Sequence, residues 1–162
     1  MNKHERGNAR IIFVTGAGSG IGRAIALNQA KQNHAVVIVD INLQAAQRVR
    51  QEALAAGATD ALAIECDIGD EVSLIQAFQQ CKEYFGDIPT GIVANAGIEI
   101  SKRAHETTLE EWERVIQINL TGTFLTCREA IRLLLAYDRP GAIVCTSSPS
   151  AFVGFAAGSN SA

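Results

Sequence analysis

The four cysteines, Cys66, Cys81, Cys127 and Cys145, contain no C-x-x-C pair, which sets aside zinc-ribbon and thioredoxin-like chemistry. The sequence also lacks a basic stripe and any interleaving of aromatic with basic residues. Its 14 Lys and Arg stand against 17 Asp and Glu, a net charge of −3, so a nucleic-acid partner is not expected. No apolar run approaches the ~20 residues that a membrane-spanning helix needs. Residues 1–10 are polar, and only a brief apolar run follows before Thr15, too little for a secretory signal. Internal repeats, low-complexity tracts and linkers are absent as well. What remains is 162 residues, 48% hydrophobic and 19% charged. That is a soluble, globular composition, long enough for one domain to bury about 70% of its unfolded surface. Cys66 and Cys145 lie in apolar strand-like runs, so they read as buried free thiols in a reducing cytoplasm.

The most informative stretch is Thr15-Gly16-Ala17-Gly18-Ser19-Gly20-Ile21-Gly22. An apolar run leads into it and a helical pattern over residues 21–33 leads out, with Ile21, Ile25 and Ala26 on one side. Strand, glycine turn and helix present free backbone N–H groups to a phosphate. The pattern G-x-G-x-x-G itself is not met, because Ile21 stands where its last glycine belongs. The case therefore rests on context.

That context is an alternation of strands and helices. Buried-strand runs are expected at residues 11–15, 35–39, 61–64, 91–94 and 142–146, their apolar residues consecutive as in strands covered on both faces. Asn42, Asp70 and the Thr108-Leu109-Glu110-Glu111 capping box open three further helices, and Gly57 and Gly86 stop two of them. The last helical pattern carries a long apolar stripe through Trp112, Val115, Ile116, Leu120, Phe124, Cys127, Ile131 and Leu134, and Arg139-Pro140-Gly141 ends it. The pattern predicts a single α/β domain with a parallel sheet and right-handed crossovers. Residues 147–162, small and polar with Pro149, Gly154 and Gly158, read as loop.

Asp40 ends the second strand, where a doubly wound fold places the acid that hydrogen-bonds an adenosine ribose, about 20 residues beyond the loop. A carboxylate there repels the extra phosphate of NADP, so NAD is favoured over NADP; Arg23 is the one nearby cation that could offset this. Asn119 interrupts the long stripe. It is a mediocre helix residue, and a buried amide there needs partners. Ser147 and Ser148 follow the fifth strand, where a serine pair is ordinarily turn chemistry.

Taken together, these segments resemble the short-chain dehydrogenase/reductase family in its compact single-domain form. Thr15-Gly16-x-x-x-Gly20-Ile21-Gly22 matches that family's cofactor loop, and Asn95-Ala96-Gly97 its strand-four motif, with Ala94 where an asparagine is common. Ile118-Asn119-Leu120 matches the site of its helix asparagine, and Ile143-Val144-Cys145-Thr146-Ser147-Ser148 its strand-five serine motif. The resemblance implies a Rossmann-like doubly wound parallel sheet and hydride transfer between nicotinamide and a secondary alcohol or ketone. Gly16, Ser19, Gly20, Ile21 and Gly22 would hold the pyrophosphate and adenosine, Asp40 the ribose, Asp67 and Ile68 the adenine. Asn95, Ala96 and Gly97 would flank the cofactor. Ser148 would hydrogen-bond the substrate oxygen, and Asn119 would kink its helix and anchor a water-linked proton relay. Glu99 and His105 fall where the family often lines its substrate cleft; Ser150, Phe152, Val153 and Phe155 suggest apolar surface beyond Ser148. His4 and His34 join no constellation, and Trp112 reads as packing.

The family's proton donor is a tyrosine with a lysine four residues on, a pairing that brings the phenol's pKa toward neutrality. Tyr84 is followed at that spacing by Ile88, and Tyr137 by Gly141, so neither qualifies. Alignment of the loop places the missing pair just past Ala162. The expectation is a truncated dinucleotide-binding domain over residues 1–162, inactive as given, whose parent is a homo-oligomeric cytoplasmic dehydrogenase, dimer or tetramer. The sheet would then keep one uncovered side, lacking the family's later strands, dimer-packing helix and lid. The alternative is an NAD-binding sensor or regulatory module without catalysis.

Overall fold

Runs of consecutive apolar and β-branched residues build the centre of the molecule. The computed structural model describes residues 9–152. Within them β1 (Ile11–Thr15), β2 (Ala35–Asp40), β3 (Ala61–Glu65), β4 (Gly91–Ala94) and β5 (Ala142–Cys145) form one parallel sheet, in the order β3-β2-β1-β4-β5. The chain winds outward from β1 to β3, then returns to add β4 and β5 on the other side. The order reverses between β1 and β4, and a crevice for ligands opens there at the carboxyl ends of the strands.

Helices α1 (Gly20–Lys31) and α2 (Leu43–Ala56) cover one face. Ile12, Val14, Val36 and Ile38 of the sheet meet Ala26, Ala30, Ala46, Val49 and Ala53 there. Alanines on the helices let them lie close to the branched strand residues. Helix α3 (Glu71–Phe85) covers the other face together with a long element made of α4 (Leu109–Val115), a π-helical segment (Ile116–Gly122) and α5 (Thr123–Ala136). Phe13, Val37, Val39, Ile64 and Ile92 pack there against Leu74, Phe78, Cys81, Leu125 and Ala130. The rings of Phe13 and Phe78 stack at 4.2 Å.

The local signals act as expected. Asn42 accepts from Ala45 N at 3.0 Å, Asp70 accepts from Val72 N and Ser73 N, and Thr108 with Glu111 forms the reciprocal capping box. Lys102 pairs with Glu111 and, with the Thr108 N–H, holds its carboxyl below the usual range. Among the described residues no helix is long and apolar enough to cross a membrane.

Burial departs from the sequence expectation in three places. Ile21 is 65% exposed, and Gly22, Ala26 and Ala30 make the packed side of α1 instead. The stripe on the long helix turns partly outward, leaving Trp112, Leu120, Phe124 and Ile131 exposed while Val115, Gly122, Leu125, Thr126 and Ala130 are buried. The π segment explains the shift, since each π turn takes in one residue more than an α turn and rotates everything after it. Cys145 is exposed rather than buried. Among the described residues β5 is an outer strand, and no helix covers its α1–α2 face; Val144 there is 59% exposed. The part of the expected 147–162 loop that carries Val153 and Phe155, and His4, lie outside the described residues.

Candidate functional site

The site is built from the bottom of the crevice upward. Thr15 closes β1 with a fully buried hydroxyl. Its Oγ1 accepts from Asn95 N at 3.0 Å and from Ala96 N at 3.1 Å, and donates to Val93 O at 3.4 Å. Asn95 Nδ2 donates back to Thr15 O at 3.1 Å, and Asn95 Oδ1 accepts from Thr146 Oγ1 at 3.2 Å. One threonine and one asparagine thus bind the ends of β1, β4 and β5 across the point where the winding reverses. Sequence reasoning named Asn95 but gave Thr15 and Thr146 no such part. The available signal was a hydroxyl at the end of an otherwise apolar buried strand, which must find partners.

The glycine loop is fitted to this floor. Gly16 has φ 64°, and a Cβ there would lie 2.7 Å from Ala96 Cα. A Cβ on Gly22 would overlap Gly16 O and lie 2.7 Å from Asn95 Nδ2. Gly18, which had no assigned role, leaves room for Asp40: its N–H donates to Asp40 Oδ2 at 2.8 Å, and an added Cβ would lie 2.7 Å from the same oxygen. Asp40 Oδ1 accepts from Asn42 N at 2.9 Å. The half-buried carboxylate therefore ties the loop to the start of α2, and since a carboxylate offers roughly four lone pairs, it retains acceptor capacity. Arg23 pairs with Glu52 at 2.7 Å.

The start of α1 differs from those of the other helices that begin from a loop. Asn42, Asp70 and Thr108 cap α2, α3 and α4 with side chains, whereas Ser19 makes no side-chain cap bond, and α1 carries no acid in its first turn. Space around Gly20 is open. Uncapped N–H groups and a positive dipole end at the carboxyl edge of a parallel sheet suit an anion. The residues present thus fit the pyrophosphate and ribose of a dinucleotide.

Along the second arm of the crevice, Asn119 sits half-buried in the π segment. Its Oδ1 accepts from Ile98 N and its Nδ2 donates to Ile98 O, both at 2.9 Å. It clamps the strand-like stretch after Gly97, whose Cβ position would come within 3.3 Å of the same Oδ1. Asp67 holds its own turn by accepting from Gly69 N at 2.8 Å, while Ile68 turns into the core, only 5% exposed. Burial pushes the neighbouring Cys66 thiol up. Ser148, just beyond β5, accepts from Ser150 N at 3.2 Å and donates to Ser150 Oγ at 3.1 Å. Its hydroxyl performs the turn chemistry that a serine pair ordinarily supplies. His105 lies in an exposed turn beside Glu106, and Glu99 accepts from Ser101 Oγ at 3.3 Å.

The largest cleft lies elsewhere. About 930 Å³ in volume, it opens at the amino-terminal edge of the sheet between Arg10, Asp60, Tyr84, Asp87, Thr90 and Arg139. Its polar groups pair with one another: Tyr84 donates to Asp60 at 3.1 Å, and Arg139 meets Asp87 at 3.3 Å. Ligands of open α/β sheets bind at the other edge, so volume does not select the site here. Among the described residues no group of three or more His, Cys, Asp or Glu could hold a metal ion.

A family model described as short chain dehydrogenase matches residues 10–160. Versicolorin reductase 1 of Aspergillus parasiticus is 33% identical over 153 residues, covering 94% of this chain and 57% of that protein. The NADP-dependent (R)-specific alcohol dehydrogenase of Lentilactobacillus kefiri is 33% identical over 155 residues, 93% of this chain and 58% of that one. Among solved structures, NAD+-bound xylitol dehydrogenase superimposes with a TM-score of 0.84 at 28% identity, over 90% of this chain and 55% of its own. The chain spans about half the length of the curated relatives it matches.

Proposed function

The chain belongs to the short-chain dehydrogenase family, and from that premise we propose that it is the cofactor-binding part of an oxidoreductase that uses NAD in preference to NADP and acts on a secondary alcohol or ketone. The observation that carries the reading is the pairing of an uncapped α1 start with Asp40 held against Gly18. Gly16, Ser19, Gly20, Ile21 and Gly22 would hold the pyrophosphate, Asp40 the ribose hydroxyls, and Asp67 and Ile68 the adenine end. Asn95, Ala96 and Gly97 would flank the nicotinamide, which supplies a carbon able to accept or give hydride. The preference for NAD is supported by charge. A phosphate on the ribose would face Asp40, and Arg23, the cation able to compensate, is engaged by Glu52.

Ser148 is placed to serve the substrate oxygen. Its donor goes to Ser150, and rotation about one torsion redirects it to an alkoxide as negative charge builds there. Asn119 positions the stretch after β4 and, through its π segment, holds the helix beside it. The completed acid–base pair belongs to the parent, as does a homo-oligomeric state. The test is turnover by the full-length protein, followed through nicotinamide absorbance with a panel of secondary alcohols and ketones. NAD-dependent oxidation abolished by Ser148→Ala supports the proposal; cofactor binding without turnover of any substrate favours the alternative, a non-catalytic NAD-binding module. That alternative is supported by the placing of both tyrosines. Tyr84 lines the amino-terminal cleft, and Tyr137 follows α5 with its ring 5.7 Å from the Lys82 ammonium, so neither stands at the glycine-loop edge.

A further inference from the structure

Two of the four cysteines meet outside the cofactor crevice. Cys127 on α5 and Cys145 at the end of β5 have their sulfurs 3.6 Å apart. Both thiols are free. The pairing follows from the fold, because Ile143 and Cys145 share the strand face that looks toward α5, and Ile143 packs against the cluster containing Leu125 and Ala130. A disulfide needs about 2.05 Å between sulfurs, so side-chain rotation and a small approach of strand to helix close the gap. Exposure differs usefully between the two: Cys145 faces water and Cys127 is half-buried behind it. Cys66 and Cys81 are buried in the core.

We propose that Cys127 and Cys145 form an oxidisable dithiol, converted by a peroxide-class oxidant into a disulfide that ties α5 to β5. The sulfur of Cys145 attacks one peroxide oxygen. An S–O bond forms, the O–O bond breaks, and the departing hydroxide takes up the Cys145 proton as water. The sulfur of Cys127 then attacks the Cys145 sulfenic sulfur; the S–S bond forms, the S–O bond breaks, and a second water leaves with the Cys127 proton. The two thiols give up two electrons and two protons, and the peroxide accepts both. Burial and the neighbouring sulfur push the Cys127 thiol up to about 11, which suits it to the second step, where a protonated thiol persists until its partner is activated. The tie joins the strand that runs on to Thr146 and Ser148 with the helix that continues from Asn119.

The test treats the full-length protein with a few equivalents of hydrogen peroxide, then combines thiol counting with mass analysis of a non-reducing digest. The expected result is a loss of two thiols and a linked peptide pair containing Cys127 and Cys145, two hydrogens lighter than the free peptides and restored by dithiothreitol. In Cys127→Ser, Cys145 is expected to stop at the sulfenic acid and be trapped by dimedone; in Cys145→Ser, Cys127 is expected to stay reduced. A wild-type protein that leaves Cys127 free while Cys145 proceeds to sulfinic acid overturns the proposal. So does a disulfide linking two copies of the chain.

Discussion

The two flanks of the sheet obey different rules. On the β3-β2-β1 side, the strands are covered on both faces, and the polar groups at their carboxyl ends bond one another: Thr15 with Asn95 and Ala96, Asp40 with Gly18 and Asn42. On the β5 side, large apolar groups stand in the open. Leu135 is 76% exposed, and Phe124, Val144 and Leu120 are also exposed. The first flank is self-sufficient because its residues bury one another; the second presents surface that nothing among the described residues covers. Substitutions in the two flanks should therefore differ in kind. Those near the glycine loop disturb the fold and the cofactor together, while those on the open flank leave the chain's own stability almost unchanged.

The largest effect is expected from Thr15→Val. It keeps the shape but strands the N–H groups of Asn95 and Ala96, at about 1–3 kcal/mol for each buried orphan. Denaturant titration reads the loss, and an unchanged midpoint would break the claim that Thr15 ties the floor together. Gly22→Ala comes next. Its Cβ meets Gly16 and Asn95, and overpacking of this sort costs about 1–3 kcal/mol. Gly20→Ala, with open space around it and a φ of 53°, is expected to cost only the left-handed backbone strain, about 1 kcal/mol.

A pH series sharpens the contrast further. Burial raises the Cys81 thiol from 9.0 to about 12. The folded-state value lies above the unfolded one, so this stabilisation is complete below pH 9.0 and is lost as pH rises toward 12. The slope is at most about 1.4 kcal/mol per pH unit. Comparison of unfolding free energies of wild type and Cys81→Ala across that range should show the slope shrinking in the variant. Smallest of all is Leu135→Gln on the open flank, expected to stay within about 0.5 kcal/mol; a larger loss would mean that this surface is packed after all.

The elements were legible in the sequence because their signals are local. Apolar runs fix the strands, and Asn42, Asp70, Thr108, Gly57 and Gly86 mark where helices start and stop. Burial on the long helix was not legible. A π turn at Ile116–Gly122 leaves no mark in a hydrophobic pattern read at the α period, and it displaces Leu120, Phe124 and Ile131 from the packed side. Exposure of Cys145 was hidden for another reason: an apolar strand reads the same whether or not a neighbour covers it. At the site, the glycines and Asp40 could be named from spacing, yet the fit of Gly18 to Asp40 and the grip of Thr15 on Asn95 join residues far apart in the chain and needed the fold. Ser148 illustrates the converse case, since its motif and its turn chemistry are both present in one hydroxyl.

The central claim concerns the glycine loop and Asp40 acting as one dinucleotide cradle that prefers NAD. Calorimetric titration of the full-length protein with NAD+ and with NADP+, repeated on Asp40→Ala, tests it most directly. The expected result is tighter binding of NAD+ by wild type, about tenfold for each 1.4 kcal/mol of discrimination, with the preference collapsing in the variant. Tighter binding of NADP+ by the wild type, or a preference that survives Asp40→Ala, would contradict it.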